Sequence, residues 1–267
     1  TLDQIEARAC GINHFTWFQQ ITDRKTGQDL YPLLIKKERK AEWLAEWDEI
    51  ALSRILMRVF GLYPSPGTNH IGEYIAWADE FLCSSLLQFY YDPEDGHPWD
   101  TQDIPPFIYN LQGNPTHTSL YPEEKIETVY PGEKPDPEQI EPSGELAIPI
   151  IEGVLCGSER HLDAINVQNT HGLIPNLPHD AIVEVPGTAS VEGINPEQME
   201  AFPEGIAAIL QRQCSINKLL AEAFIERSRK KLLQAILLDP TTRSYRNAVN
   251  LLDEMYRVQK DVLPELE

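Results

Sequence analysis

A long stretch of the chain, residues 92–142, is rich in proline, glycine and acidic residues and has no helical periodicity. This composition opposes regular helices and strands, because proline lacks a backbone donor and glycine favours turns. The stretch also contains aromatic residues such as Trp99 and Tyr130, which are rare in wholly disordered linkers. We therefore predict an irregular, partly mobile excursion within one large domain, with one short strand at most.

Two regular regions precede this excursion. Residues 2–34 predict two strands joined by a turn, and Gly27 marks a second turn by its composition. Residues 36–60 have helical spacing, and the helix is predicted to end at Gly61. The loop "GLYPSPGTNHIGEY" then leads into another predicted helix, "EYIAWADEFLCSSLLQFYY".

After the excursion, the chain is predicted to form one helix, then two strands, then long helices. The segment "SGELAIPIIEGVLC" predicts a helix with a kink or a late start at Pro149, followed by the strands "HLDAINVQN" and "AIVEVP". Residues 205–238 and 243–260 predict long helices, the second capped by Thr241 or Thr242. The predicted class is α+β, helix-rich with a small mixed or antiparallel sheet.

The charge of the chain argues against nucleic acids and anionic membranes as partners. The 267 residues include 22 Lys and Arg against 42 Asp and Glu, which gives a net charge of −20. Phosphate binding needs clustered basic residues, so we expect no nucleic-acid partner and no anionic membrane surface as a partner.

The four cysteines are far apart, and none forms a C-x-x-C pair. This spacing differs from that of a disulfide scaffold or a structural zinc site. No run of about 18 apolar residues is present, so no membrane span is predicted, and we expect a cytoplasmic protein.

The motif "GINHFTWF" places a histidine, His14, directly after Asn13 in a turn that Gly11 makes tight. A lone histidine is most often a core residue bonded to backbone. A neutral imidazole beside an amide also suits a metal ion that holds the hydroxyls of a substrate. One histidine cannot complete such a site, so further ligands would come from elsewhere.

The motif "PGTNHIGEY" places His70, Glu73 and Tyr74 at the start of a predicted helix, on one face by their i, i+3 and i+4 spacing. This shared face of polar side chains is a candidate functional site. An ordinary role, with Tyr74 in the core and Glu73 favoured by the helix dipole, has similar weight.

A third motif, "NVQNTHGLIPNLPHDAIVEVP", contains Asn166, Asn169, His171 and Asn176 around two short apolar runs. An amide both donates and accepts hydrogen bonds, which suits recognition of sugar hydroxyls. For any single asparagine, turn formation is the more usual role. The group as a whole favours a binding function.

Together these segments resemble glycoside hydrolase family 4, the NAD- and manganese-dependent glycosidases, over nearly the whole chain. The resemblance is carried by "GINHFTW", "GTNHIGEY", "SGELA", the asparagine-rich segment and the tail "AILLDPTTRSYRNAVNLLDEM". The order and spacing of the third and fourth of these are fairly specific. The tail and the "GEYI" form look most similar to α-galactosidases, α-glucosidases and α-galacturonidases.

The resemblance implies that residues 1–267 form a C-terminal domain like that of lactate dehydrogenase, preceded in the family by an N-terminal Rossmann domain. No G-x-G-x-x-G fingerprint follows a strand in this chain. Relatives are dimers or tetramers, so a homo-oligomer is expected. The implied cofactors are NAD and Mn2+ or another divalent metal, with most cofactor contacts in the Rossmann domain.

The resemblance also implies a mechanism and site residues. In the family, NAD takes hydride from C3 of the sugar, a base removes the C2 proton, and the C1 group is eliminated. Water then adds and the hydride returns, so this chemistry differs from two-carboxylate hydrolysis. His14 corresponds to a metal ligand, whose cysteine partner lies upstream. The implied substrate is a small glycoside, with Asn13, Asn169 and Asn176 as sugar contacts.

One residue departs from the family pattern. Related α-glycosidases often have an acid at the position of Thr68, and a threonine hydroxyl is no base at neutral pH. His70 is then the expected base, with Tyr74 a weaker candidate. The departure leaves an alternative open, a non-catalytic sugar-binding or assembly module that retains the fold.

Overall fold

The computed structural model describes residues 2–38, 47–78 and 145–266. The predicted excursion at 92–142 lies outside the described residues, as does most of the helix predicted from Glu73 onward.

Five strands form one open antiparallel sheet. Their order is β2–β1–β4–β3, and β5 also pairs with β4. The strands are β1 Ile5–Ile12, β2 Phe15–Asp23, β3 Arg160–Gln168, β4 Ile182–Ser190 and β5 Gly193–Pro196. The four strands predicted from sequence are thus confirmed, and β5 is a short addition that the sequence pattern did not indicate.

Seven α-helices are present among the described residues, after a short 3-10 turn at Leu2–Gln4. They are α1 Tyr31–Glu38, α2 Trp47–Phe60, α3 Thr68–Gly72, α4 Ala147–Cys156, α5 Glu204–Glu226, α6 Arg229–Leu238 and α7 Tyr245–Gln259. The α+β class predicted from sequence is confirmed. None of these described helices is long and apolar enough to cross a membrane.

The end of α2 and the start of α4 agree with the glycine and proline signals in the local sequence. Helix α2 ends at Phe60, as predicted, and the next residue, Gly61, has a φ of 89°. Helix α4 begins at Ala147, so Pro149 lies in its first turn, where a missing N–H has no intrahelical partner to lose. The late start predicted for this helix is therefore confirmed, and no kink is needed.

Two predictions about the C-terminal helices were wrong. The helix predicted at 205–238 is two helices, because the chain turns at Arg227, with φ 55°, and Ser228 caps α6 by accepting from the N–H of Lys231. The last helix is capped by Ser244. Thr241 instead donates its hydroxyl to Asp239 within a turn, and the helix begins only at Tyr245.

The core lies between the sheet and helices α2 and α5. Its largest fully buried side chains include Phe15 and Trp17 from β2, Leu52 and Leu56 from α2, and Leu210 from α5. Burying one side chain of this size stabilises the fold by about 1.5–3 kcal/mol. This cluster fixes β2, and with it the first hairpin, against the helices.

Candidate functional site

The tip of the first hairpin holds two of the predicted site residues. Strands β1 and β2 close with Ile12 opposite Phe15, which leaves only Asn13 and His14 in the turn. His14 adopts a left-handed φ of 60°, a conformation that is uncommon for any residue with a side chain. Both side chains are exposed, so the turn presents an amide and an imidazole side by side.

The backbone at Gly11 allows this turn to close tightly. Its φ is 154°, and a Cβ at this position would lie 2.4 Å from the carbonyl oxygen of Phe15. No larger residue fits without moving the opposite strand. The prediction that Gly11 permits a close backbone approach is confirmed.

Helix α3 brings His70 next to the hairpin tip. The rings of His14 and His70 meet edge to face, with their centroids 4.9 Å apart. Nδ1 of His70 lies 3.9 Å from Oε1 of Glu73, and both side chains are exposed. The structure therefore brings together two histidines that are far apart in sequence, with a carboxylate beside the second.

Tyr74, in the turn that follows α3, contacts the hairpin through Phe15. Its ring stacks on Phe15, with centroids 4.3 Å apart and planes 9° from parallel. Burial raises the pKa of Tyr74, and the nearby carboxylate of Glu73 adds to this. The phenol therefore stays protonated at neutral pH.

The helix predicted to begin at Glu73 is not present up to residue 78, since α3 ends at Gly72 and turns follow.

Glu184, which no sequence motif singled out, lies next to the hairpin tip. Nδ2 of Asn13 donates to Oε2 of Glu184 at 3.2 Å, and Nδ2 of Asn166 approaches the same oxygen at 3.5 Å. Glu184 lies opposite both Gly11 and Asn166 in the sheet. The available signal was an acid between Val183 and Val185, both of which are buried.

Asn169 has a different role from the one predicted. Its side chain is fully buried. Its amide nitrogen donates to the carbonyls of Ile174 and Leu177, both at 3.0 Å, and its oxygen accepts from the N–H of Ile174. These bonds hold together the loop after β3, so Asn169 has no polar atom available for a sugar.

Asn176 is likewise engaged with backbone. It donates to the carbonyl of Phe202 at 2.9 Å and accepts from the N–H of the same residue at 3.0 Å. This two-way pairing joins the loop to the segment that enters α5. Of the three predicted sugar contacts, the structure places only Asn13 beside the histidines.

A polar cleft of about 640 Å³ opens over β1 and the neighbouring strands, with Glu184 among its lining residues. The guanidinium of Arg8 pairs with Glu197 in the cleft, and Arg24 and His161 also line it. The cleft thus contains charges of both signs next to the hairpin.

The donors present fit a divalent metal only in part. Imidazole nitrogen is a good ligand for such ions, and His14 is exposed and adjacent to a second histidine. Within residues 2–38, 47–78 and 145–266, no group of three His, Cys, Asp or Glu side chains has the arrangement of a metal site. Cys10 is fully buried, and burial raises the pKa of its thiol, so it is no candidate ligand.

Comparison with known proteins finds relatives that are named as glycosidases. The chain is 28% identical to an α-galactosidase of Bacillus subtilis (strain 168), over 98% of the chain and 56% of that protein. It is 26% identical to an α-glucosidase of Erwinia rhapontici, over 100% of the chain and 59% of that protein. The chain therefore spans little more than half the length of these relatives.

A solved structure has the same fold. It is a 6-phospho-α-glucosidase from gut microorganisms in complex with NAD and Mn2+, and it superposes with a TM-score of 0.62 at 22% identity. The superposition covers 100% of this chain and 57% of that one.

The family model described as "Family 4 glycosyl hydrolase C-terminal domain" matches residues 9–242. The chain therefore belongs to glycosyl hydrolase family 4, in which it corresponds to the C-terminal domain.

Proposed function

We propose that this chain is the substrate- and metal-binding part of a glycosidase that hydrolyses O-glycosidic bonds with the help of NAD and a divalent metal. The observation that carries this proposal is the juxtaposition of His14 and His70 at the tip of a strained hairpin turn, beside the amide of Asn13. Strained backbone at an exposed polar turn is typical of functional sites.

His14 supplies one metal ligand in this proposal, and the remaining ligands come from outside the described residues. When bound, the metal would stabilise negative charge on two sugar oxygens, and NAD would accept and return a hydride. His14 has a left-handed backbone in the hairpin turn, and its side chain is exposed there. The second ring, His70, limits the directions from which a metal and a sugar can approach.

The two candidate bases have different chemistry. An imidazole is the side chain that accepts a proton near neutral pH, so His70 is the proposed base for the C2 proton. Tyr74 has a raised pKa, so its phenol is a hydrogen-bond donor at that pH. Tyr74 is therefore the weaker candidate for the base.

Asn13 is the proposed sugar contact. Its Nδ2 is held by Glu184, which leaves the carbonyl oxygen of the amide free to accept from a sugar hydroxyl. The proposed substrates are α-galactosides, α-glucosides or α-galacturonides. The names of the two relatives support the first two classes.

The test uses the full-length protein with NAD and Mn2+ and the p-nitrophenyl α-glycosides of galactose, glucose and galacturonic acid. We expect release of nitrophenol that needs both cofactors, with no net consumption of NAD. In D2O, the released sugar should carry deuterium at C2, because a base removes that proton. Turnover that needs neither cofactor, or a product without deuterium, would contradict the proposed mechanism.

One sequence feature favours a second function. Thr68 stands where related α-glycosidases often have an acid, and this favours a non-catalytic sugar-binding or assembly module. Calorimetry with galactose, glucose and galacturonic acid separates the two functions. Binding without any turnover of the glycosides would support the second.

A further inference from the structure

We propose that Arg212, on helix α5, is a positioning residue for Tyr74 and, through it, for the pair of histidines. The inference rests on the proposed function, because it concerns the same site. It adds a residue that lies 138 positions from Tyr74 in sequence and outside every motif that points to the site.

The first observation is a direct bond between α5 and the turn after α3. Nη2 of Arg212 donates to the carbonyl oxygen of Tyr74 at 2.8 Å. Helix α3 has only five residues, too few to be stable by itself, and its last carbonyls accept only from N–H groups of the turns that follow, residues 73–75. A bond from a charged donor is therefore well placed to fix the end of this helix.

The second observation is that Tyr74 is held from two sides. Its carbonyl is bound by Arg212, and its ring stacks on Phe15 at 4.3 Å. Phe15 directly follows His14, whose ring meets that of His70 at 4.9 Å. A shift of the Tyr74 backbone would therefore change the position of α3 relative to the hairpin, and with it the spacing of the two imidazoles.

The third observation concerns stability. Nε of Arg212 is buried and has no hydrogen-bond partner within the part of the chain that the structure describes. A buried N–H without a partner destabilises a fold. A methionine would pack the same stem without this cost. Arginine at this position is thus better explained by the bond to Tyr74 than by general stability.

The experiment compares Arg212→Met and Arg212→Lys with wild type in the full-length protein. Arg212→Met should lower kcat by about 10- to 100-fold, since misplacing reacting groups by about 1 Å can cost a factor of this size. KM and Mn2+ affinity should stay close to wild type, because Asn13 and His14 are untouched. Arg212→Lys retains a donor and should recover part of the loss.

The matched control is Lys218→Met on the same helix. Lys218 forms an exposed ion pair with Asp180, with 57% and 55% of the side chains exposed. Such pairs contribute little to stability, so kcat should not change. An equal loss of kcat in this control would overturn the positioning role, as would an unchanged kcat in Arg212→Met.

A second readout does not depend on turnover. In protein labelled with 13C-histidine, the ring resonances of His14 and His70 should shift in Arg212→Met and not in Lys218→Met. Unchanged resonances would overturn the inference even if activity fell. If wild type itself hydrolyses no glycoside, the proposed function fails, and the resonances still decide the role of Arg212. Should Arg212→Met fail to fold, the remaining partial loss expected in Arg212→Lys decides the inference, and wild-type kcat and histidine resonances in that variant would overturn it.

Discussion

The turn of the first hairpin and the loop after β3 contain similar residues and use them in opposite ways. Asn13 and His14 are exposed at a two-residue turn. Asn169 is buried, and its amide holds the loop together through the backbone of Ile174 and Leu177.

The length of each connection explains the difference. In the hairpin, Ile12 and Phe15 already pair in the ladder, so few backbone groups remain that need a side-chain partner. The loop from Asn169 to Pro178 turns several times without a ladder, and buried backbone groups must still find partners. An asparagine in a long buried loop is therefore used for the fold, whereas one in a tight exposed turn is free for a ligand.

The largest expected effect distinguishes His14, in the hairpin turn, from His171, in the loop after β3. His14→Ala in the full-length protein should lower metal-dependent turnover by more than about 100-fold, because the proposed metal ligand is lost. His171→Ala, from the exposed part of the loop, is the matched control and should leave turnover unchanged. Turnover is measured with NAD and Mn2+ present. If His14→Ala retains full turnover, the metal assignment is wrong.

A pair of glycine variants tests how tightly each region is closed. Gly11→Ala should lower the free energy of unfolding by about 3–4 kcal/mol, through strain and overlap with the opposite strand. At Gly172, φ is 66° and a Cβ would lie 3.5 Å from the His179 ring, so Gly172→Ala should cost only about 1–2 kcal/mol. Urea unfolding measures both. Equal losses would show that the hairpin has room for a side chain.

The two asparagines should differ in the same measurement. Asn169→Ala leaves the N–H of Ile174 and several carbonyls without partners in the interior, so we expect a loss of about 3 kcal/mol. Asn13→Ala removes an exposed side chain and should change stability by less than about 0.5 kcal/mol, while raising KM for the glycoside. A stable Asn169→Ala variant would contradict the structural role assigned to this residue.

Alkaline pH should destabilise the hairpin region more than the loop. Tyr31 donates its hydroxyl to the carbonyl of Phe18 and accepts from the N–H of Tyr63. Burial raises its pKa to about 12. The stabilising effect of the neutral phenol is complete below the ordinary tyrosine pKa and is lost as the pH rises toward 12. The loop sequence, residues 169–178, contains no tyrosine.

This effect is the smallest of the four and needs a comparison across pH. The free energy of unfolding of Tyr31→Phe should fall less between pH 10 and 12 than that of wild type, because one ionising group with a raised pKa is gone. Urea titrations at a series of pH values measure this. An equal fall in both proteins would mean that Tyr31 ionises without opposing the fold.

Local patterns predicted the elements well and their junctions less well. A strand-turn-strand pattern and two short apolar segments indicated four of the five strands, and Gly61 correctly marked the end of α2. The break at Arg227 was missed, because an arginine in a left-handed conformation has no strong sequence signal. The cap at Ser244 was misassigned to threonines nearby, since several residues could each have capped the helix.

The candidate site was predicted in part. His14, His70 and Tyr74 come from two separate motifs, and the structure brings the two histidines together and stacks Tyr74 on Phe15, the residue after His14. Glu184 and Arg212 were missed, because each acts across the fold on a residue far away in sequence. Asn169 and Asn176 were chosen for their side-chain type, but what an amide binds depends on what surrounds it.

The sequence by itself determined the periodic elements, the acidic character of the chain and its family, because these depend on residue types and spacings along the chain. The tertiary structure decided which polar side chains remain free. Burial and the need to satisfy every enclosed backbone group are non-local, so only the folded chain could distinguish the exposed Asn13, whose amide oxygen stays free, from Asn169, whose amide is fully engaged.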